Sequence, residues 1–240
     1  MNRRRVGMKR IRKKIEMFFI TFKDFFSYLR KGIKLNCKWY GNGHAGFYVC
    51  PDNLNENSII YSFGIGEDIS FDLALIENHN CSVFGFDPTP KSIEWIKKQK
   101  LPANFHFFEY GIGCISGSID FYLPKNPEHV SGSIIIQSNV NTEKKIKVKM
   151  KSIFDIIKEL EHEKIDILKL DIEGAEYDII KDILNAKIPI TQILIEFHDR
   201  FVIDGMRKTK QTVNKMKSNG YSVFAISESK EEISFIKKNT

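Results

Sequence analysis

Two stretches of the sequence gather side chains that can handle protons. Asp171-Ile172-Glu173-Gly174-Ala175-Glu176 follows the apolar run Ile165 to Leu170, and Glu196-Phe197-His198 follows Gln192-Ile193-Leu194-Ile195. Carboxylates beside an imidazole suit general acid–base work, because their proton affinities can be tuned towards the working pH. With an unperturbed pKa of about 6.5, His198 is expected to be largely neutral at pH 7 and to serve as the base. Glu196 or Glu173 would orient its ring and stabilise its cation. Asp171 would contact an ammonium group or the acceptor. The alternative for these residues is structural: a satisfied strand-end histidine and a Glu173 that merely caps. Three carboxylates and a histidine also suit a hard divalent cation. No ligand spacing demands one, and no metal is assigned.

A third stretch could bind a nucleoside. Gly64-Ile65-Gly66-Glu67-Asp68 ends the apolar, β-branched run Ile59 to Phe63 and leads into a helical pattern. A chain that reverses tightly and then lets a ligand touch its backbone needs glycine there. A pyrophosphate site would want G-x-G-x-x-G with bare amides, but here Ile69 holds the last glycine's place and two acids precede it. Glu67 and Asp68 would repel phosphates and suit a ligand with a sulfonium, an ammonium and no phosphate, which describes S-adenosylmethionine. Asp68 can also be read as an ordinary helix N-cap. Asp87 ends the next apolar run, Cys81 to Phe86, where a carboxylate accepts ribose hydroxyls, or else starts the turn at Pro88. Tyr110, Gly111 and Ile112 close the third strand pattern and are expected near the adenine.

These residues need a doubly wound α/β sheet to position them. Apolar strand patterns alternate with amphipathic helices, and ligands in such sheets lie beyond the carboxyl ends of the strands. Ser92 is a plausible cap of the second helix, and Lys144 to Lys151 reads as an edge strand with its lysines outward. A helix is expected over Thr209 to Ser218, then two strand patterns joined by a turn, an antiparallel hairpin at the sheet edge. The Gly-rich segment Trp39 to Val49 could fold over the ligand mouth, with Tyr40 and His44 as candidate contacts.

The formal charge of +7 suggests nucleic acid until it is divided by position. Residues 1–38 hold 13 Lys/Arg against 2 acids, leaving 24 against 28 in residues 39–240. An acidic body disfavours RNA as substrate. The sequence thus divides into a basic amphipathic extension, 1–38, and a catalytic body, 39–240. Within residues 3–30, Ile11, Ile15, Phe18, Phe22, Phe25, Phe26 and Leu29 form one helical stripe behind a basic head, suited to an anionic membrane surface or to packing on protein. No run approaches the ~18 apolar residues of a membrane span, no signal-peptide cleavage pattern follows the apolar part, and four scattered cysteines fit a reducing, cytoplasmic setting.

Taken together, Tyr61 to Asp72, Phe86-Asp87-Pro88, Lys169 to Glu176 and Ile195-Glu196-Phe197-His198 resemble the FkbM family of S-adenosylmethionine-dependent methyltransferases, from about Trp39 to the C-terminus. The resemblance implies a class I methyltransferase sheet, S-adenosylmethionine as cofactor, and O-methylation of a hydroxyl on a sugar, a polysaccharide precursor or a small metabolite in the cytoplasm. Against the usual class I methyltransferase loop, a different pattern from G-x-G-x-x-G, Ser62 stands where an acid is common and Asp68 replaces the third glycine. The rival readings are a non-catalytic nucleoside-binding or membrane-tethered protein on this scaffold and a nucleotide-dependent oxidoreductase, which Glu67 and Asp68 disfavour.

Overall fold

The computed structural model describes residues 27–125, 132–135 and 140–238. After a 3-10 turn, Ser27–Leu29, the elements are β1 (Lys38–Tyr40), β2 (Phe47–Val49), β3 (Ile59–Phe63), α1 (Ser70–His79), β4 (Ser82–Phe86), α2 (Pro90–Ile96), β5 (Phe105–Phe108), β6 (Gly111–Ile112), β7 (Gly117–Pro124), β8 (Val140–Lys151), α3 (Ile153–Leu160), β9 (Ile165–Leu170), α4 (Glu176–Ala186), β10 (Ile190–Glu196), α5 (Gly205–Ser218), β11 (Tyr221–Ile226) and β12 (Glu232–Lys237).

The main sheet runs β11-β12-β10-β9-β3-β4-β5. Strands β5, β4, β3, β9 and β10 pair in parallel, while β12 is antiparallel to both β10 and β11. This is the class I methyltransferase sheet with the C-terminal hairpin that the sequence predicts. The chain starts at β3 in the middle, winds out to β5, and returns to lay β9 on the other side of β3. That reversal makes a topological switch point between β3 and β9, where ligands bind. Every residue of β9 is buried, as expected of a central parallel strand covered on both faces. Helices α3, α4 and α5 supply Ile156, Ile180 and Val213 to one core, and α1 and α2 supply Leu75 and Ile96 to the other. The antiparallel hairpin of β1 and β2 lies on this second face and is tied to β10 where Gln192 exchanges hydrogen bonds with the Cys50 backbone at 2.8 and 2.9 Å.

Several local expectations are corrected. β8 is the middle strand of a separate three-stranded sheet, β6-β8-β7, and not an edge. Its alternating lysines mark an open face, since Val148 and Met150 pack on Phe121 while Lys145 and Lys147 both ion-pair with Asp120. Ser92 does not cap α2, which starts at Pro90; it is buried inside the helix and accepts from Thr89 Oγ1 at 2.8 Å. Asp68 precedes the cap position of α1, held by Ile69, yet still accepts from the Ser70 amide at 2.7 Å. α5 begins four residues earlier than expected.

Most of the helix expected over residues 3–30 lies outside the described residues. Where the description begins, Tyr28 and Leu29 are buried in the α3–α5 core. No helix of the described residues is long and apolar enough to cross a membrane.

Candidate active site

At the β3 tip the two glycines serve different ends. Gly64 has φ +79°, and a Cβ there would stand 1.7 Å from the Asp171 carbonyl oxygen. Its lack of a side chain therefore admits the β9 backbone, not a ligand. Gly66 has φ +57°, and its Cβ position meets nothing within 4 Å. Asp87, at the β4 tip, reaches across to this loop: its Oδ2 accepts from the Gly66 amide at 2.9 Å, and its Oδ1 accepts from the Thr89 amide and hydroxyl at 2.9 and 2.6 Å. The Ser92 side chain adds a fourth hydrogen bond to this carboxylate. Burial raises its pKa above the ordinary carboxylate value, against the pull of these hydrogen bonds.

The β1–β2 turn is fastened to the same loop. Asn42 Nδ2 donates to Asp68, and its Oδ1 accepts from the His44 and Ala45 amides at 2.7 and 2.8 Å. Ala45 thereby reaches the cavity wall, in the place expected for His44 and Tyr40. His44 is exposed and Tyr40 hydrogen-bonds His79 Nε2 at 2.7 Å. Glu67 pairs with Lys91 at 3.4 Å on the rim.

The β9 and β10 tips carry a buried charged cluster. After Asp171 the chain turns sharply through Glu173 (φ +52°) and Gly174 (φ +98°) into α4. Glu176, fully buried at the start of α4, accepts from the Gly174 amide at 3.0 Å and from His198 Nδ1 at 2.8 Å through the same Oε1. His198 Nε2 then faces Glu196 Oε1 at 3.5 Å, Glu173 Oε2 at 3.6 Å and Asp171 Oδ1 at 3.7 Å. Period-2 alternation along a strand brings Glu196 and His198 to one side, as the sequence predicts.

This geometry reverses the roles expected of the ring and its acids. Burial alone would lower the pKa of His198, but the Glu176 hydrogen bond and the charges of Glu176, Asp171 and Glu173 outweigh it and push it up to about 10. His198 is an imidazolium at neutral pH and cannot accept a proton. Glu176 orients it, not Glu196 or Glu173. Burial, then the charge of Asp171, raises the pKa of Glu196 to about 8, which favours its protonated, uncharged form at neutral pH. Asp171, Glu196 and His198 lie close enough to surround a cation, their donor atoms all within 4.8 Å. They would do so only by giving up the ring proton that now balances them.

A cavity of about 230 Å³ opens between these two halves. Gly64, Gly66, Glu67, Asp68, Asp87, Gly111, Ile112, Asp171 and Glu173 all line it. Three of the proposed residues do not. Glu196 and His198 stand behind Asp171 and Glu173, and Tyr110 turns into the core against Phe86 and Phe108. Five carboxylates and no basic side chain are on the wall, which suits a cationic, phosphate-free ligand; Asp87 and the empty space above Gly66 leave room for its ribose.

Two further residues belong to this cluster. Glu176 holds the His198 ring. Lys169, 4% exposed within β9, donates to the Gly64 carbonyl at 2.9 Å and lies 3.7 Å from Asp171. A lysine among the apolar residues at the end of a central strand is the available signal.

Residues 33–223 match the model of the methyltransferase FkbM domain. A human protein, probable methyltransferase-like protein 24, is 28% identical over 142 residues, a stretch that spans 56% of this chain and 32% of that protein. Among solved structures, the pre-rRNA processing protein fibrillarin of Methanococcus jannaschii is 12% identical, with 88% of this chain and 87% of that one covered at a TM-score of 0.45. A putative S-adenosylmethionine-dependent methyltransferase of Listeria monocytogenes is 11% identical, with 77% and 92% covered at 0.44. The chain belongs to the methyltransferase FkbM-domain family.

Proposed function

We propose that the chain methylates a hydroxyl of a sugar, a polysaccharide precursor or a small metabolite, in the cytoplasm. The observation that carries this reading is the position of Asp171 and Glu173, which form the cavity wall and also face the His198 imidazolium. When bound, S-adenosylmethionine supplies a methyl group made electrophilic by its sulfonium. Asp87 holds the ribose, and Glu67 and Asp68 favour the positive charge.

A sugar hydroxyl is a poor nucleophile until its proton is removed in the transition state. Glu173 receives it: of the two wall carboxylates that face the imidazolium, Asp171 is also paired with Lys169 at 3.7 Å. His198 keeps Glu173 and Glu196 in place and offsets their charge, so the acids can stand together in a buried site. Paired carboxylates also suit a polyhydroxylated acceptor, because each accepts several hydroxyl hydrogen bonds. The acidic wall disfavours a nucleic-acid acceptor.

The test uses methyl-labelled cofactor with a panel of nucleotide sugars, glycans, small alcohols and RNA, and locates the label by mass spectrometry. Label on a sugar or metabolite hydroxyl is expected, and label confined to nitrogen or RNA refutes the acceptor class. Glu173→Gln should keep calorimetric cofactor affinity while lowering kcat by about 100-fold or more, the range of general-base catalysis. Undiminished turnover moves the base elsewhere.

A further inference from the structure

Two buried charges lie beneath the glycine loop, on the side away from the ligand. Asp72, in the first turn of α1, is 1% exposed, and Lys169, in β9, is 4% exposed. An ionised side chain out of water is costly unless an opposite charge and hydrogen bonds hold it. Lys169 Nζ donates to the Gly64 carbonyl at 2.9 Å and to the Phe63 carbonyl at 3.4 Å, and stands 3.7 Å from Asp171 Oδ2. Asp171 is on the cavity wall. The ammonium is therefore one side chain behind the ligand.

Asp72 is supported differently. Among the described residues, its Oδ1 has no hydrogen-bond partner. Burial raises its pKa to about 6, against the pull of the Lys169 charge and of the Ser62 hydroxyl, while Asp68 on the loop adds a further upward push. Lys169 thus stands between two acids, one on α1 beneath the loop and one on the cavity wall.

We propose that Lys169 and Asp72 are a positioning pair for the cofactor half of the cleft: Lys169 ties the Phe63 and Gly64 carbonyls to Asp171, and Asp72 balances its charge, so that the wall still favours a cation. Without Asp72 the ammonium would be offset by Asp171 alone, and would cancel the charge that this wall residue turns to the ligand. Without Lys169 both acids would be uncompensated, and the loop would lose the donor that holds its carbonyls. The hydrogen bonds act on any ligand of the loop, whereas the two charges distinguish a cation from a neutral molecule of the same shape.

Given S-adenosylmethionine as the ligand, the reading on which this role rests, the test compares it with S-adenosylhomocysteine, which lacks the methyl group and with it the sulfonium charge. Calorimetry of both at pH 8, where Asp72 is ionised, yields an affinity ratio in which the shared contacts cancel. A unit charge ~8 Å from the sulfonium, at an effective dielectric of ~40, changes that ratio by about 5-fold. Lys169→Met should raise the preference for S-adenosylmethionine by about that factor while weakening S-adenosylhomocysteine. Asp72→Asn should lower the preference by a similar factor, and the double variant Asp72→Asn/Lys169→Met should return it towards that of the unaltered chain. A role confined to packing moves both affinities together and leaves the ratio where it was, so a ratio unmoved by either variant, or moved in one direction by both, overturns the proposal. Where a single variant fails to fold, the double variant decides: with both charges gone it should fold and keep the ratio, and a double variant that binds neither ligand overturns the pairing. If the unaltered chain binds neither ligand, the cofactor reading itself fails and this role with it; binding of both with an unmoved ratio removes the pair alone.

Discussion

At the tips of β3 and β4 the cleft is made largely of backbone: two left-handed glycines and an amide held by Asp87. At the tips of β9 and β10 it is walled by Asp171 and Glu173 and backed by a cluster of four carboxyl groups around one imidazolium. The first half depends on the space that missing side chains leave, and the second on charges that balance. Gly64 joins them, because the carbonyl of Asp171 fills the place of its absent Cβ. The cofactor half thus cannot be altered there without moving the acidic half.

Substitutions can break this contrast, beginning with the most damaging. Gly64→Ala must displace the β9 backbone and adopt a left-handed conformation, and is expected to cost about 3–5 kcal/mol in urea unfolding. Glu176→Ala removes one partner of a buried ion pair and should cost a similar ~3–5 kcal/mol. Glu176→Gln should cost less and lower the His198 pKa, followed by NMR titration; an unmoved pKa would mean that Glu176 is not what holds the ring charged. Asp87→Asn should weaken cofactor binding by about 10–100-fold, the loss of roughly 1.5–3 kcal/mol for a hydrogen bond to a charged acceptor. Gly66→Ala pays only backbone strain of about 1–2 kcal/mol. Equal losses at Gly64 and Gly66 would erase the distinction between packing and open space.

pH sharpens the comparison on the acidic side. The pKa of His198 in the fold, about 10, is above the ~6.5 of an unfolded histidine. The folded state binds that proton more tightly, so the stabilisation is complete below about pH 6.5 and is lost as pH rises through about 10. The urea midpoint should fall over that interval, and the fall should shrink in His198→Asn. A midpoint that instead rises there would show the ring to be neutral in the fold.

Much of the fold was legible because its signals are local. β9 is an unbroken apolar run except for Asp166 and Lys169, the Gly-x-Gly turn follows an apolar strand, and two strand patterns without a helix between them close the chain as a hairpin. Signals of this kind depend on period and on turn chemistry, which neighbouring residues carry together. β8 misled because alternation shows which face is open and says nothing about which strands lie on either side.

The sequence by itself determined which acids, glycines and histidine would stand at strand tips, because strand ends and side-chain alternation are set within a few residues. Only the tertiary structure decided their ionisation and their work. The charge on His198 comes from Glu176, Asp171 and Glu173, groups at least 22 positions away along the chain. Gly64 is needed because of a carbonyl 107 positions further on. Proton affinity and close packing depend on distances through space, and these exist only once the β9 and β10 tips have been brought beside β3.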